Sequence, residues 1–226
     1  MRSSARALPF VLVLMLLAAC GSSSSAESLA ATPGAPVSVA SASAAPSPSA
    51  SSSASGGVMP LAKGPLQPGR YTSTQFEPQL ELTLGSGWAE QFPDDNDELA
   101  LDHDGGFLAI TRVSSVVDPS GSGTTDAPDD LFAWLTAHGA LTVEHTEDVA
   151  VAGLPGQMLE ATVAHTAEMF AYPTGNMRVV EGDRVRYYVV PLEGPDLTIV
   201  VASQGTRFED LIAAVEPVVD SLEIVE

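Results

Sequence analysis

The chain has 226 residues and a formal net charge of −20, with 29 Asp and Glu against 9 Lys and Arg. This balance excludes a nucleic-acid-binding role, because neutralising phosphates requires a basic surface. A polybasic contact with anionic lipid is excluded for the same reason. Cys20 is the only cysteine, so no intramolecular disulfide can form.

The first twenty residues have the pattern of an export signal. Two arginines precede an apolar run over residues 8–17, which is too short for a membrane-spanning helix of about 20 residues but typical of a secretory signal peptide. Residues 17–20 read Leu-Ala-Ala-Cys and resemble the lipobox of bacterial lipoproteins. The resemblance implies that residues 1–19 are removed and that Cys20 is lipidated. The alternatives are an ordinary signal peptide with an incidental cysteine and an uncleaved N-terminal anchor.

Lipidation of Cys20 predicts a protein that is anchored on the extracytoplasmic face of the cell membrane, since two acyl chains suffice for stable anchoring. Residues 20–57 then form a linker, in which positions 21–57 hold 14 serines, 10 alanines and no aromatic residue. Such a segment buries too little apolar surface to fold and is predicted to be disordered. Residues 58–226 have regular apolar patterning and are predicted to form a single globular domain.

Extended segments dominate the first part of this predicted domain. Residues 79–84 alternate with period two, which places three leucines on one face. A second extended stretch begins at Trp88. Residues 98–102 and 106–113 read as strands, and the Asp-Gly pair between them is a strong hairpin signal.

A first helix is predicted after these strands. Asp126 is the expected N-cap, and Pro128 suits the first turn. Leu131 and Leu135 fall at helical spacing, and Gly139 is a natural helix end.

Further strands are predicted between the two helices of the domain. Residues 141–146 and 149–152 read as two short strands, followed by a turn over residues 153–156 and an extended segment over residues 157–164.

The last part of the sequence contains its most apolar runs. Residues 184–192 and 196–203 hold continuous apolar stretches, which predict strands that are buried on both faces in the centre of a sheet. A closing helix with an apolar stripe runs from Phe208 to Val219 and is expected to kink or restart near Pro217. Residues 221–225 suit a last edge strand.

This order of elements predicts an α+β fold, a mainly antiparallel β-sheet covered by helices. The chain also resembles the PsbP/LpqN-like superfamily of α/β/α sandwich domains over residues 68–226. That resemblance implies accessory, cargo-binding or partner-binding proteins without a shared catalytic site, so no functional residue transfers. The segments that support it are residues 71–76 (YTSTQF), 82–88 (LTLGSGW), 149–156 (VAVAGLPG), 186–190 (RYYVV) and 218–222 (VVDSL).

The densest group of possible metal ligands lies between residues 94 and 104. Calcium prefers carboxylate and carbonyl oxygens, but aligning the Asp-Gly pair with an EF-hand loop puts Ala100 and Thr111 at the essential first and twelfth positions. No metal site is therefore predicted, and a solvated acidic loop is favoured over a weak, irregular cation site. The weak candidate ligands are Asp94, Asp95, Asp97, Asp102 and Asp104.

Motifs of enzyme chemistry are absent from the sequence. It contains no Gly-x-Ser-x-Gly elbow, no P-loop, no His-Glu-x-x-His and no dinucleotide-binding glycine motif. The four histidines are scattered, and a lipidated Cys20 is no nucleophile. No cofactor is predicted, and a non-enzymatic role is favoured over an enzyme.

Apolar side chains occur in a segment that is predicted to be a loop, residues 169–173. Phe170 and Tyr172, together with Arg178 and Arg186, are the candidate residues for receiving a protein partner or an anionic ligand. A loop that folds back over the sheet is favoured over this binding role.

The sequence thus predicts a membrane-tethered envelope lipoprotein that binds a protein partner or a small ligand. The alternatives are an envelope enzyme, hydrolase-like and with an unrecognised site, and a passive structural spacer. Because 28 of the 29 acidic residues lie in residues 58–226, a charged partner is expected to be cationic.

Overall fold

The computed structural model describes residues 57–91, 94–120, 122–204 and 207–225. Cys20 and the predicted signal peptide and linker, up to residue 56, lie outside these residues. In chain order the elements are β1 (Met59–Pro60), β2 (Gly64–Pro65), β3 (Gly69–Thr72), β4 (Gln79–Leu84), β5 (Trp88–Glu90), β6 (Glu98–His103), β7 (Gly106–Val113), β8 (Ser115–Val117), β9 (Thr124–Asp126), α1 (Leu131–Ala137), β10 (Leu141–Val151), β11 (Leu154–Val163), β12 (Ala167–Tyr172), β13 (Gly175–Val179), β14 (Asp183–Val190), β15 (Asp196–Gln204), α2 (Phe208–Asp220) and β16 (Glu223–Val225).

An eight-stranded antiparallel sheet forms the centre, in the order β10-β11-β14-β15-β7-β6-β5-β2. Two four-stranded sheets accompany it, β1-β3-β4-β16 and β13-β12-β8-β9. The described chain is therefore mostly β-sheet with two helices, as the predicted α+β class requires. No helix in these residues is long and apolar enough to cross a membrane.

The central sheet buries both of its faces, and each face has its own core. One core joins β4 and α2 to residues such as Leu99 and Ile199 of the central sheet. The other joins α1, β12 and β13 to residues such as Tyr187 and Val200. Each covering layer therefore contains a helix and a small sheet, whereas the predicted sandwich has helices alone.

Several sequence predictions are confirmed. β14 and β15 lie side by side within the central sheet and are apolar on both faces, as their continuous apolar runs predict. β6 and β7 form a hairpin, and Asp104 and Gly105 have φ values of 44° and 83°. This left-handed pair is the geometry of a type I′ turn, which Asp-Gly favours. β16 is an edge strand beside β4.

The predicted start of the first helix is wrong. Asp126 ends β9, and the N-cap of α1 is Asp130, whose Oδ1 accepts a hydrogen bond of 2.8 Å from the Ala133 N–H. Both positions offer an aspartate followed by helix-forming residues. Only the pairing of β9 with β8 decides between them.

The two short strands predicted after α1 are one strand, β10, with a bulge between Val143 and His145. Its hairpin turn lies at Ala152 and Gly153, which have φ values of 53° and 75°, so β11 begins earlier than predicted. The helix also does not restart at Pro217, because α2 continues without interruption to Asp220. Pro217 has no backbone N–H, and the buried apolar stripe of α2 stabilises the helix despite the lost hydrogen bond.

Candidate ligand-binding groove

A groove of about 760 Å³ opens over the part of the central sheet formed by β6 and β7. Along β6, Leu99 and Leu101 point into one core, so Glu98, Ala100 and Asp102 face the opposite side. The hairpin of β12 and β13 packs over the neighbouring strands of that face. The groove therefore lies between this hairpin and β6.

The groove has an apolar floor and two walls of different character. Ala100, Phe107 and Ala109 form the floor. The β12–β13 hairpin forms one wall, which contains Tyr172, residues 174–176, Met177 and Arg178. The other wall is acidic. The residues of that second wall are Gln75, Gln91, Asp94, Asp95, Glu98 and Asp102.

Tyr172 is held in place within the groove wall. It ends β12, is half-buried, and its hydroxyl accepts a hydrogen bond of 2.7 Å from Thr111 Oγ1 on β7. Burial raises the pKa of Tyr172 above its ordinary value. The phenol therefore stays neutral and fixes the hairpin against the central sheet.

The acidic wall contains a carboxyl group with a raised pKa, that of Glu98. Burial, followed by the negative charge of Asp95, raises the pKa of Glu98 above its ordinary value of 4.5. Asp95 is itself positioned by a turn, because its Oδ1 accepts hydrogen bonds from the N–H groups of Asp97 and Glu98 at 2.9 and 2.7 Å. Among the described lining residues Arg178 is the one basic side chain. A bound cation would relieve the repulsion between Asp95 and Glu98.

Asp94 has a structural role at the end of the same wall. Its carboxylate accepts hydrogen bonds from the N–H groups of Thr74, Gln75 and Phe76 and from Thr74 Oγ1, at 2.5 to 3.4 Å. Burial alone would raise the pKa of Asp94, but these hydrogen bonds outweigh burial and lower it. The side chain is 3% exposed, so it is not part of the predicted solvated loop.

The five weak cation candidates do not converge. The Asp94 carboxylate accepts hydrogen bonds from the backbone of residues 74–76, and Asp97 does not line the groove. Asp104 lies in the β6–β7 turn, where its backbone carbonyl accepts a hydrogen bond from Arg207. No group of three or more metal-ligating side chains occurs in the described residues.

The prediction of a loop around residues 169–173 is wrong. These residues, up to Tyr172, belong to β12, and Phe170 is completely buried with its ring 6.1 Å from that of Tyr187. The strand hydrogen bonds to β13 and the second core explain the burial. Phe170 is therefore unavailable to a ligand, whereas Tyr172 and Arg178 do lie together in the groove.

Arg186 lies away from the other candidates, on the face of the central sheet that α2 covers. Its guanidinium contacts Glu160, the Tyr188 hydroxyl at 3.0 Å and Glu216 of α2 at 3.2 Å. It joins α2 to β11 and β14 and does not line the groove. The predicted site groups Arg186 with residues 169–173, but its position in β14 places it on the face of the central sheet opposite the groove.

No histidine lines the groove in the described part of the chain. His138 is packed instead: its ring lies 4.7 Å from the Trp134 ring, and its Nδ1 accepts from the Ala140 N–H at 3.2 Å. Burial, with a smaller effect of His165, lowers the pKa of His138. This histidine is a structural residue of the α1–β10 connection.

Phe107, Ala109 and Glu98 were not predicted as site residues. One signal was available, because the alternation along β6 puts two acids and a small residue on a single face. No local sequence pattern shows that the β12–β13 hairpin leaves this face of β6 uncovered.

Comparisons with known proteins are distant. No family model and no curated protein matches the sequence. A solution structure of cyanobacterial PsbP (CyanoP) from Synechocystis sp. PCC 6803 is similar at 12% identity, over 73% of this chain and 98% of that one, with a TM-score of 0.39. A crystal structure from Bacteroides thetaiotaomicron is similar at 12% identity over 71% of this chain, with a TM-score of 0.37. The chain spans 50% of that second structure.

Proposed function

We propose that this protein is a lipid-anchored, extracytoplasmic binding protein with a non-enzymatic, accessory role in the cell envelope, and that the groove over β6 and β7 is its ligand site. The observation that supports a binding role most directly is the groove, a cavity of about 760 Å³ with an apolar floor and polar walls. Such cavities are the usual form of small-ligand sites. The accessory role is the one that the PsbP/LpqN resemblance implies.

The ligand of this groove is an organic cation with an apolar body. Asp95, Glu98 and Asp102 are acidic groups of the groove, while Arg178 is the single base among its described lining residues. The rings of Phe107 and Tyr172 offer apolar contact and faces for a cation. The strong negative charge of the whole chain attracts such a ligand from solution.

Binding is tested with phenethylammonium as the probe and phenylpropionate as its anionic counterpart, followed by NMR chemical shifts. We expect the cation to shift the signals of Phe107 and Tyr172 and the anion to leave them unchanged. The double substitution Glu98→Gln, Asp102→Asn is expected to weaken cation binding at least tenfold, because each close ion pair at a partly buried site contributes about 1 kcal/mol or more. Affinity should also fall as the pH is lowered through the raised pKa of Glu98, because the carboxylate becomes neutral.

The double substitution Glu181→Gln, Asp148→Asn is the matched control, since these two exposed acids outside the groove change the net charge by the same two units. Equal binding of the cation to all three proteins would show that attraction is unspecific and would contradict a site in the groove. Equal binding of the anion would contradict the proposed ligand class.

The anchor is tested separately, by Cys20→Ala in the full chain expressed in a bacterium. We expect the wild-type protein in the membrane fraction and the variant in the soluble extracytoplasmic fraction, because only the thiol can accept the diacylglyceryl group. Cys20→Ser, equally unable to form the thioether, should behave as the alanine variant does. A variant that still sediments with membranes would overturn the lipid anchor.

A further inference from the structure

Among the described residues, the outer edge of β13 has no partner strand, and it runs along the groove. β13 is the first strand of its sheet and pairs only with β12. Among the described residues no backbone hydrogen bond reaches its other side. Gly175, Asn176, Met177 and Arg178 of this strand all line the groove.

The other sheet edges of the described chain are protected against pairing. β1 and β2 are two-residue strands that each end in a proline, and β9 and β16 have three residues each. β10 is long but is interrupted by a bulge and has a run of exposed charged residues. Short length, proline, bulges and charge are the usual defences of edge strands. β13 has five residues and no proline, and its one charged residue is Arg178.

An unprotected edge accepts an extended peptide, whose backbone pairs with the strand while alternate side chains enter the space beside it. Beside β13 this space is the groove, with Asp95, Glu98 and Asp102 across the floor. Five residues of strand extend about 17 Å, enough for at least two side chains of an incoming strand to point toward these acids. Charge complementarity therefore selects a basic segment.

We propose that β13 receives an extended, lysine- or arginine-rich segment of a partner protein as a fifth strand of its sheet. The proposal rests on the proposed function, because it names the partner of the same groove. The backbone hydrogen bonds to β13 provide affinity, and the acids of the groove select the basic side chains. Tyr172, fixed by Thr111, keeps the hairpin and its edge in position.

The experiment uses an acetylated and amidated seven-residue peptide of sequence Thr-Lys-Val-Lys-Val-Lys-Thr. Two further peptides have the same side chains, with backbone N-methyl groups at the odd or at the even positions. In a paired strand alternate N–H groups face the neighbour, so one methylated peptide should lose affinity at least tenfold while the other retains it. Amide hydrogen exchange of residues 175–178 should slow when the unmodified peptide binds.

Three results would overturn strand addition. Equal binding of both methylated peptides would show that the backbone does not pair, and unchanged exchange at residues 175–178 would place the peptide elsewhere. A peptide that fails to bind while phenethylammonium still binds would remove the strand partner and leave the cation site standing. If neither probe binds, the proposed function fails as well. A peptide with glutamate in place of each lysine is the charge control and should not bind.

Discussion

Asp94→Ala is expected to lower the free energy of unfolding by about 3 kcal/mol, because several donors around one buried carboxylate lose their acceptor together. Those donors are the N–H groups of Thr74, Gln75 and Phe76 and the Thr74 hydroxyl. They hold the segment before β4 against the loop that follows β5. Denaturant unfolding, followed by tryptophan fluorescence, measures the change.

The pH dependence of this effect has a definite sign. The folded-state pKa of Asp94 lies below its ordinary value of 3.8, so its contribution is complete above that value and is lost as the pH falls through the folded-state pKa. The difference between wild type and Asp94→Ala should therefore shrink in strong acid.

Asp102→Ala is the control for the Asp94 substitution, because the carboxylate of this groove residue accepts no hydrogen bond from the backbone of the described residues. It should change stability by less than about 0.5 kcal/mol, as surface substitutions usually do. Equal losses for Asp94→Ala and Asp102→Ala would contradict a structural role that is particular to Asp94.

Arg186→Met is expected to destabilise the fold by about 2 kcal/mol or more, because it leaves Glu160 largely buried without its main partner. The guanidinium side chain is 12% exposed and that of Glu160 is 17% exposed. Arg184, whose Nη2 lies 3.6 Å from Glu160 Oε2, compensates in part. Methionine keeps the aliphatic packing, so thermal or denaturant unfolding reports the lost ion pairs.

Arg70→Met is the matched control, since Arg70 also contacts two glutamates but is 45% exposed. Exposed ion pairs contribute at most about 1 kcal/mol, so this variant should stay close to wild type. If both substitutions cost the same, burial does not set the strength of the Arg186 network. Neither variant should alter cation binding in the groove, since neither residue lines it.

Much of the β-structure follows from local pattern. Three patterns each favour a single local structure, and the structure confirms all three. They are the period-two alternation of β4, the Asp104-Gly105 turn, and the continuous apolar runs of β14 and β15. The errors occur where two local structures are equally compatible with the sequence. Asp126 and Asp130 are both acceptable N-caps, and residues 169–172 suit a buried strand as well as an apolar loop.

The candidate site was predicted in part. Tyr172 and Arg178 lie in the groove with Asp94, Asp95 and Asp102, whereas Phe170 and Arg186 do not. Phe170 shares a face of β12 with Tyr172 but is completely buried in the second core, and Arg186 lies on the face of the central sheet that α2 covers. A strand mistaken for a loop, or a candidate taken from the wrong face, therefore selects the wrong neighbour.

The sequence by itself determined the strong negative charge, the Asp104-Gly105 hairpin turn with its left-handed residues, and the central strands that must be buried on both faces. These features depend on composition or on residues that are neighbours along the chain. Only the tertiary structure decided which acidic residues lie together in the groove. Tyr172 meets Thr111 across 61 positions, and this packing brings the open edge of β13 opposite Glu98 and Asp102. Such a groove depends on the docking of distant strands, which no local pattern specifies.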